Sequence, residues 1–120
     1  MPAKRRGPGS EDWSKPVALG GGWRIQYHKE TGEEFTHYRL VPPPRTCPGD
    51  AEALSPRIVA FDSLRVLPWL QKAFRGVEGP KLFRPIACRE PGAVDKAARA
   101  LRAVDAQSRV EIDRSSSADR

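Results

Sequence analysis

Gly20-Gly21-Gly22-Trp23-Arg24-Ile25-Gln26-Tyr27-His28-Lys29-Glu30-Thr31-Gly32-Glu33-Glu34-Phe35-Thr36-His37-Tyr38-Arg39-Leu40-Val41 is the stretch in which aromatic content, alternation and turn chemistry agree. Trp23, Ile25 and Tyr27 recur at period 2, with Arg24, Gln26 and His28 between them. Successive strand side chains point to opposite faces, so this spacing predicts one apolar and one polar face. The second run puts Tyr38 and Leu40 on one phase and His37, Arg39 and Val41 on the other. Phe35 falls on the polar phase, and a bulge or face change near Thr36 would account for it. Lys29 to Glu33 form the turn, with Gly32 available for positive φ. The reading is a β-hairpin. A lone hairpin is marginal in water, so it requires a third strand or a helix.

Working outward, Arg57-Ile58-Val59-Ala60-Phe61 supplies the third strand. Asp62 or Ser63 is a suitable N-cap for a helix that follows. Leu64, Leu67, Leu70 and Phe74 form its stripe, and Trp69 and Ala73 widen it. Gly76 ends the helix, and Pro68 predicts a kink within it. The fold expected is α+β: a small three-stranded antiparallel sheet packed on one helix, with a second C-terminal helix and flexible tails. Residues 17–76 form the binding domain of this scheme. Residues 77–107 are read as an extended segment, with Lys81–Ala87 lying back over the sheet, followed by a helix over Pro91–Gln107. Val94, Ala97, Ala98, Leu101 and Val104 share a face of that helix, which suits either the core or a protein partner. Residues 1–16 and 108–120 are read as disordered tails, with Trp13 docking on the domain. Pro42-Pro43-Pro44 is expected as polyproline II, and residues 45–56 as a loop with one helical turn starting at Asp50.

Composition supports a small domain with tails. The chain has 120 residues, 38% hydrophobic, against about 45–50% in a typical globular domain. Its 12 prolines and 10 glycines also limit how much of it can pack. The net charge of +6 favours polyanionic partners, nucleic acid first. No apolar run approaches the ~20 residues of a membrane helix, so no membrane contact is expected. Lys4-Arg5-Arg6 is followed by no apolar stretch, which fits a short basic patch rather than a secretory signal. Cys47 and Cys88 belong to no Cys-x-x-Cys pair, and His28 and His37 complete no zinc spacing. The two cysteines are read as reduced thiols of a nuclear or otherwise intracellular protein, with a disulfide between them left open. No metal or cofactor is expected.

Catalytic patterns are missing from the sequence. Ser63 lies in no Gly-x-Ser-x-Gly frame, Cys47 sits in a Pro-rich loop, and Gly20-Gly21-Gly22 precedes a strand rather than a helix. The chain is therefore read as a non-enzymatic nucleic-acid-binding module, its partner duplex DNA. Arg24, His28 and Arg39 on the polar phase, with Lys29, Arg45 and Lys72, are the candidate DNA-binding residues. A narrow ribbon fits the ~12 Å major groove, where arginine and lysine reach guanine edges and phosphates. Glu30, Glu33 and Glu34 at the turn oppose that docking, because they repel phosphates. The alternative is a protein-interaction module in which Trp23, Tyr27 and Tyr38 beside Pro42-Pro43-Pro44 bind an extended ligand.

Gly22-Trp23 opening a strand, His37-Tyr38-Arg39-Leu40-Val41-Pro42 closing the hairpin, and Phe61-Asp62-Ser63 leading into a helix with Val66-Leu67 and Trp69-Leu70 resemble the methyl-CpG-binding domain family over residues 20–75. That resemblance implies a DNA- or chromatin-binding module. The family's two DNA-reading arginines correspond here to His28 or Lys29 and to Asp62, and its longer basic loop to Glu30-Thr31-Gly32-Glu33-Glu34. The helix register is one residue short, and Pro68 interrupts it. The resemblance therefore implies a divergent relative without methyl-CpG recognition.

Overall fold

The hairpin is the centre of a wider sheet. A computed structural model describes residues 13–49 and 52–113. Strands β1 (Val17–Ala18), β2 (Arg24–His28), β3 (Thr36–Val41) and β4 (Ser55–Ala60) are followed by helices α1 (Ser63–Arg75), α2 (Glu78–Ala87) and α3 (Ala93–Arg102), and then by β5 (Arg109–Asp113). The strands pair antiparallel in chain order, β1 to β5. The three-stranded sheet on one helix is thus replaced by five strands and three helices, within the same α+β class. The three helices form one long crossover, and β5 returns to pair with β4.

Register fixes the two faces. Ile25 lies opposite Leu40, Tyr38 opposite Ile58, and Ile58 opposite Val110. These side chains join Val66, Leu70, Phe74, Phe83, Ile86, Ala97 and Leu101 in one core between sheet and helices. Trp23 and Tyr38 are buried there, so the aromatics offered for ligand binding are mostly structural, and only Tyr27 at the sheet edge is half-exposed. Phe35 precedes β3, so the alternation from Thr36 to Val41 is regular and needs no bulge.

Gly20-Gly21-Gly22 is a tight turn rather than a loose hinge. Trp23 N–H donates to the Gly20 carbonyl (3.1 Å) and Leu19 N–H to that of Trp23 (2.9 Å), closing β1 onto β2. Gly21 and Gly22 hold φ of 64° and 87°, where a side chain would strain the backbone. At Gly20 a Cβ would collide with the Phe74 carbonyl oxygen, so the turn also seats α1.

The helices differ from expectation in instructive ways. In α1 the buried face is Val66, Leu70, Ala73 and Phe74, while Leu64 is 86% exposed. Pro68 stands inside the helix but on its solvent side, where water can satisfy the carbonyl it leaves bare. Asp62 is the N-cap residue, without a side-chain capping bond. Residues 81–87 are not extended: they belong to α2, whose Gly79, Phe83, Ile86 and Ala87 are buried at i, i+4, i+7 and i+8. In α3, shorter than the expected 91–107 helix, Ala93, Ala97, Ala98 and Leu101 are buried in the core, so that face is closed to a partner. The expected tail from 108 begins with a strand. Asp50, where a helical turn was expected to start, lies outside the described residues, and residues 52–54 are not helical. Residues 1–12, with Lys4-Arg5-Arg6, also lie outside them, as do residues 114–120.

Candidate functional site

The face of the sheet turned away from the helices carries the polar phase. Gln26, Arg39, Arg57 and Glu111 line up across β2 to β5, and His28, His37, Val59 and Arg109 form the next row. Arg24, one step from Gln26, is exposed near the β1 edge. Sequence phase thus placed Arg24, His28 and Arg39 together correctly. Arg57 and Arg109 join them only through the pairing register, which single-strand periodicity does not reveal.

Trp13 docks on this face. Ser14 N–H donates to the Tyr27 carbonyl (2.9 Å), and Ser14 Oγ accepts from Tyr27 N–H (3.0 Å), so the chain before β1 runs along β2. Gln26 links that segment to the sheet: its Nε2 donates to the Ser14 carbonyl (3.0 Å), and its Oε1 accepts from Arg39 Nε (3.2 Å) and Nη2 (2.9 Å). The Trp13 ring then lies 4.6 Å from the Arg39 guanidinium carbon and 5.6 Å from that of Arg57, within cation–π range. Trp13 is also 5.8 Å from the His28 ring, and the His28 and His37 rings are 6.0 Å apart.

The acidic turn folds back on these histidines. Glu30 Oε2 is 3.1 Å from His28 Nε2, and Glu33 Oε1 is 3.4 Å from His37 Nε2. Arg57 Nη2 meets His37 Nδ1 at 3.1 Å. The carboxylates opposing phosphate at the hairpin tip are therefore partly engaged with imidazoles. At the far edge Arg109 pairs with Glu111 (2.7 Å).

The other sequence candidates lie elsewhere. Lys29 is exposed in the hairpin turn, and Arg45, at φ 64°, is exposed in the loop after β3. Lys72 belongs to the helical layer. There, with Lys81 and Lys96, it borders a groove of about 490 Å³ floored by Trp69, Ala73, Leu82 and Ala100, with Glu78 the one acid. Among the described residues no group of three or more His, Cys, Asp or Glu could hold a metal ion, and no helix is long and apolar enough to cross a membrane.

Fold and site together define an α+β module with one helix-covered sheet face and one arginine-bearing face on which Trp13 docks. Compared with protein-family models, curated proteins and solved structures, the chain matches none.

Proposed function

We propose that the chain is a non-enzymatic nucleic-acid-binding module whose arginine-bearing sheet face receives a single strand. The observation that carries this reading is the Trp13–Arg39–Arg57 stack at the centre of the face, flanked by exposed Arg24 and Arg109 at its edges. The half-buried indole offers a stacking surface for bases, and the exposed Arg24 and Arg109 offer charge for phosphates. The whole sheet does not enter the major groove of duplex DNA. Five strands at ~4.8 Å spacing span roughly 19 Å, wider than the ~12 Å major groove. The broad face instead suits an extended strand lying across it.

The test is a fluorescence-anisotropy titration of labelled single-stranded and duplex oligonucleotides at two salt concentrations. Single strands bind more tightly than duplex, with a slope of log affinity on log salt near 0.7 per phosphate engaged. The double variant Arg24→Gln/Arg109→Gln lowers that slope and leaves the fold intact. Absence of salt-dependent binding at micromolar protein overturns the proposal.

A second reading rests on the helical groove, whose apolar floor and lysine rim fit a partner segment that is both apolar and acidic. Lys72→Glu with Lys96→Glu separates the two readings. The pair abolishes capture of an acidic amphipathic peptide while single-strand affinity changes far less than in the Arg24/Arg109 variant.

A further inference from the structure

Cys47 and Cys88, 41 positions apart in the chain, meet with their Sγ atoms at 2.6 Å. That is well inside the van der Waals contact of two sulfur atoms and approaches the ~2.05 Å of a disulfide bond. The backbone on both sides is fixed by other groups. Arg84 Nε donates to the Thr46 carbonyl (3.2 Å), Leu54 N–H to the Ala87 carbonyl (2.9 Å), and Cys88 N–H to the Arg84 carbonyl (2.9 Å). Thr46 Oγ1 in turn donates to the Pro43 carbonyl. Each thiol also faces a carbonyl of the opposite segment: Cys47 Sγ lies 3.3 Å from Ala87 O, and Cys88 Sγ 3.7 Å from Thr46 O. The loop between β3 and β4 and the end of α2 are thus held so that the sulfurs converge. No third ligand is placed to turn the pair into a metal site among the described residues.

We propose that Cys47 and Cys88 are a redox pair that closes to an intramolecular disulfide, clamping the β3–β4 loop to the C-terminal end of α2. A small-molecule disulfide such as oxidised glutathione is the oxidant. Cys88 is half-buried and Cys47 buried, so Cys88 meets it first. The Cys88 thiolate, its proton released to solvent, attacks one glutathione sulfur. A mixed disulfide forms and one glutathione thiolate leaves. Cys47 then gives up its proton, and its sulfur attacks Cys88 Sγ and expels the second glutathione. Two protein thiols have lost two electrons and two protons, and one disulfide has become two thiols. Burial, then the hydrogen bond with Cys47, push the Cys88 thiol up to about 11. Little thiolate exists at neutral pH, so the first step accelerates as pH rises.

The experiment uses the full chain, reduced, desalted and incubated folded with excess oxidised glutathione. Intact mass then shows loss of two hydrogen atoms with no glutathione retained, and non-reducing digestion joins the peptides containing Cys47 and Cys88. The resolving step, read from the lifetime of the mixed disulfide after quenching, is faster by about tenfold or more in the folded chain than in urea, because the fold supplies the proximity. In Cys47→Ser the mixed disulfide finds no resolving thiol, and a glutathione adduct accumulates on Cys88. Two thiols still open to alkylation, adducts on both cysteines of the parent chain, dimers linked through either cysteine, or a mixed disulfide that resolves equally fast in urea overturn the proposal.

Discussion

Replacing Asp105 by alanine tests how the crossover is fastened. Asp105 lies in the loop between α3 and β5 and is 7% exposed. Its Oδ2 accepts from the backbone N–H of Phe61 (2.8 Å) and of Asp62 (2.9 Å), and its Oδ1 from that of Gln107 (3.2 Å). One carboxylate thereby joins the β4–α1 junction to the segment that delivers β5. Hydrogen bonds to a charged group contribute ~1.5–3 kcal/mol each. Phe61 is 40% exposed and water can replace part of what is lost, so the three bonds do not add, and the expected loss is about 3 kcal/mol. For a domain of this size that lowers the thermal midpoint by roughly 12–24 °C. Asp105→Asn keeps the two bonds to one oxygen but sets an amide N–H₂ against the Gln107 N–H, so its loss is about half that of alanine. Circular-dichroism melts and urea titrations of the three proteins measure this. An alanine loss under about 0.5 kcal/mol, or asparagine as damaging as alanine, refutes the reasoning, since the first denies the bonds and the second their geometry.

Gly79→Ala places a Cβ 2.6 Å from the ring of Phe74, itself 1% exposed, so overpacking costs ~1–3 kcal/mol despite the better helix propensity, read from the urea midpoint. Leu70→Ala empties a fully buried site and costs ~2–5 kcal/mol, whereas Leu64→Ala, at 86% exposure, changes stability by less than about 0.5 kcal/mol; similar losses would show that the buried face of α1 is misassigned. Burial raises the Tyr38 hydroxyl above its usual range, partly offset by a hydrogen bond with Ser63. The folded state then holds that proton longer than the unfolded state, so stability falls as pH rises past about 10, and Tyr38→Phe flattens this alkaline limb in melts recorded from pH 8 to 11.

The hairpin was legible because local rules decide it: Trp23 and Ile25 on one phase, Arg24 and His28 on the other, and a glycine-bearing turn. The β4 run was legible for the same reason, from Ile58, Val59 and Ala60. Helix α2 was obscured by Pro80 and Pro85, although Gly79, Phe83, Ile86 and Ala87 carry the helical spacing. Pro80 sits in the first helical turn, where a missing N–H removes no intrahelical bond. The β5 signal, Val110 and Ile112 alternating with Arg109 and Glu111, is too short to stand out beside a serine-rich end. The stripe of α1 was shifted because Leu64 and Leu67 continue the i, i+3 spacing to Leu70, which leaves the single Val66 off the stripe. Packing selected the face that sets Phe74 against Trp23, 5.2 Å between ring centres, and against Phe83, 5.7 Å.

Long-range pairing separates the readable half of the candidate site from the rest. Phase alone places Arg24 and Arg39 on one face, but Arg57 reaches Arg39 only because β3 and β4 align those two positions. Trp13 reaches both because Tyr27 and Gln26 tie Ser14 to β2. The lysines of the groove lie on three helices, which the core places on the other side of the sheet from Arg39. The candidate cations among the described residues therefore stand on two surfaces rather than on one. Total charge predicts affinity for polyanions in general, but it does not choose between these surfaces. What distinguishes them is the chemistry between the charges: an indole among arginines on the sheet, and an apolar floor within a lysine rim on the helices. Substitutions on one side leave the other side's geometry untouched, which makes the two surfaces separable by mutation.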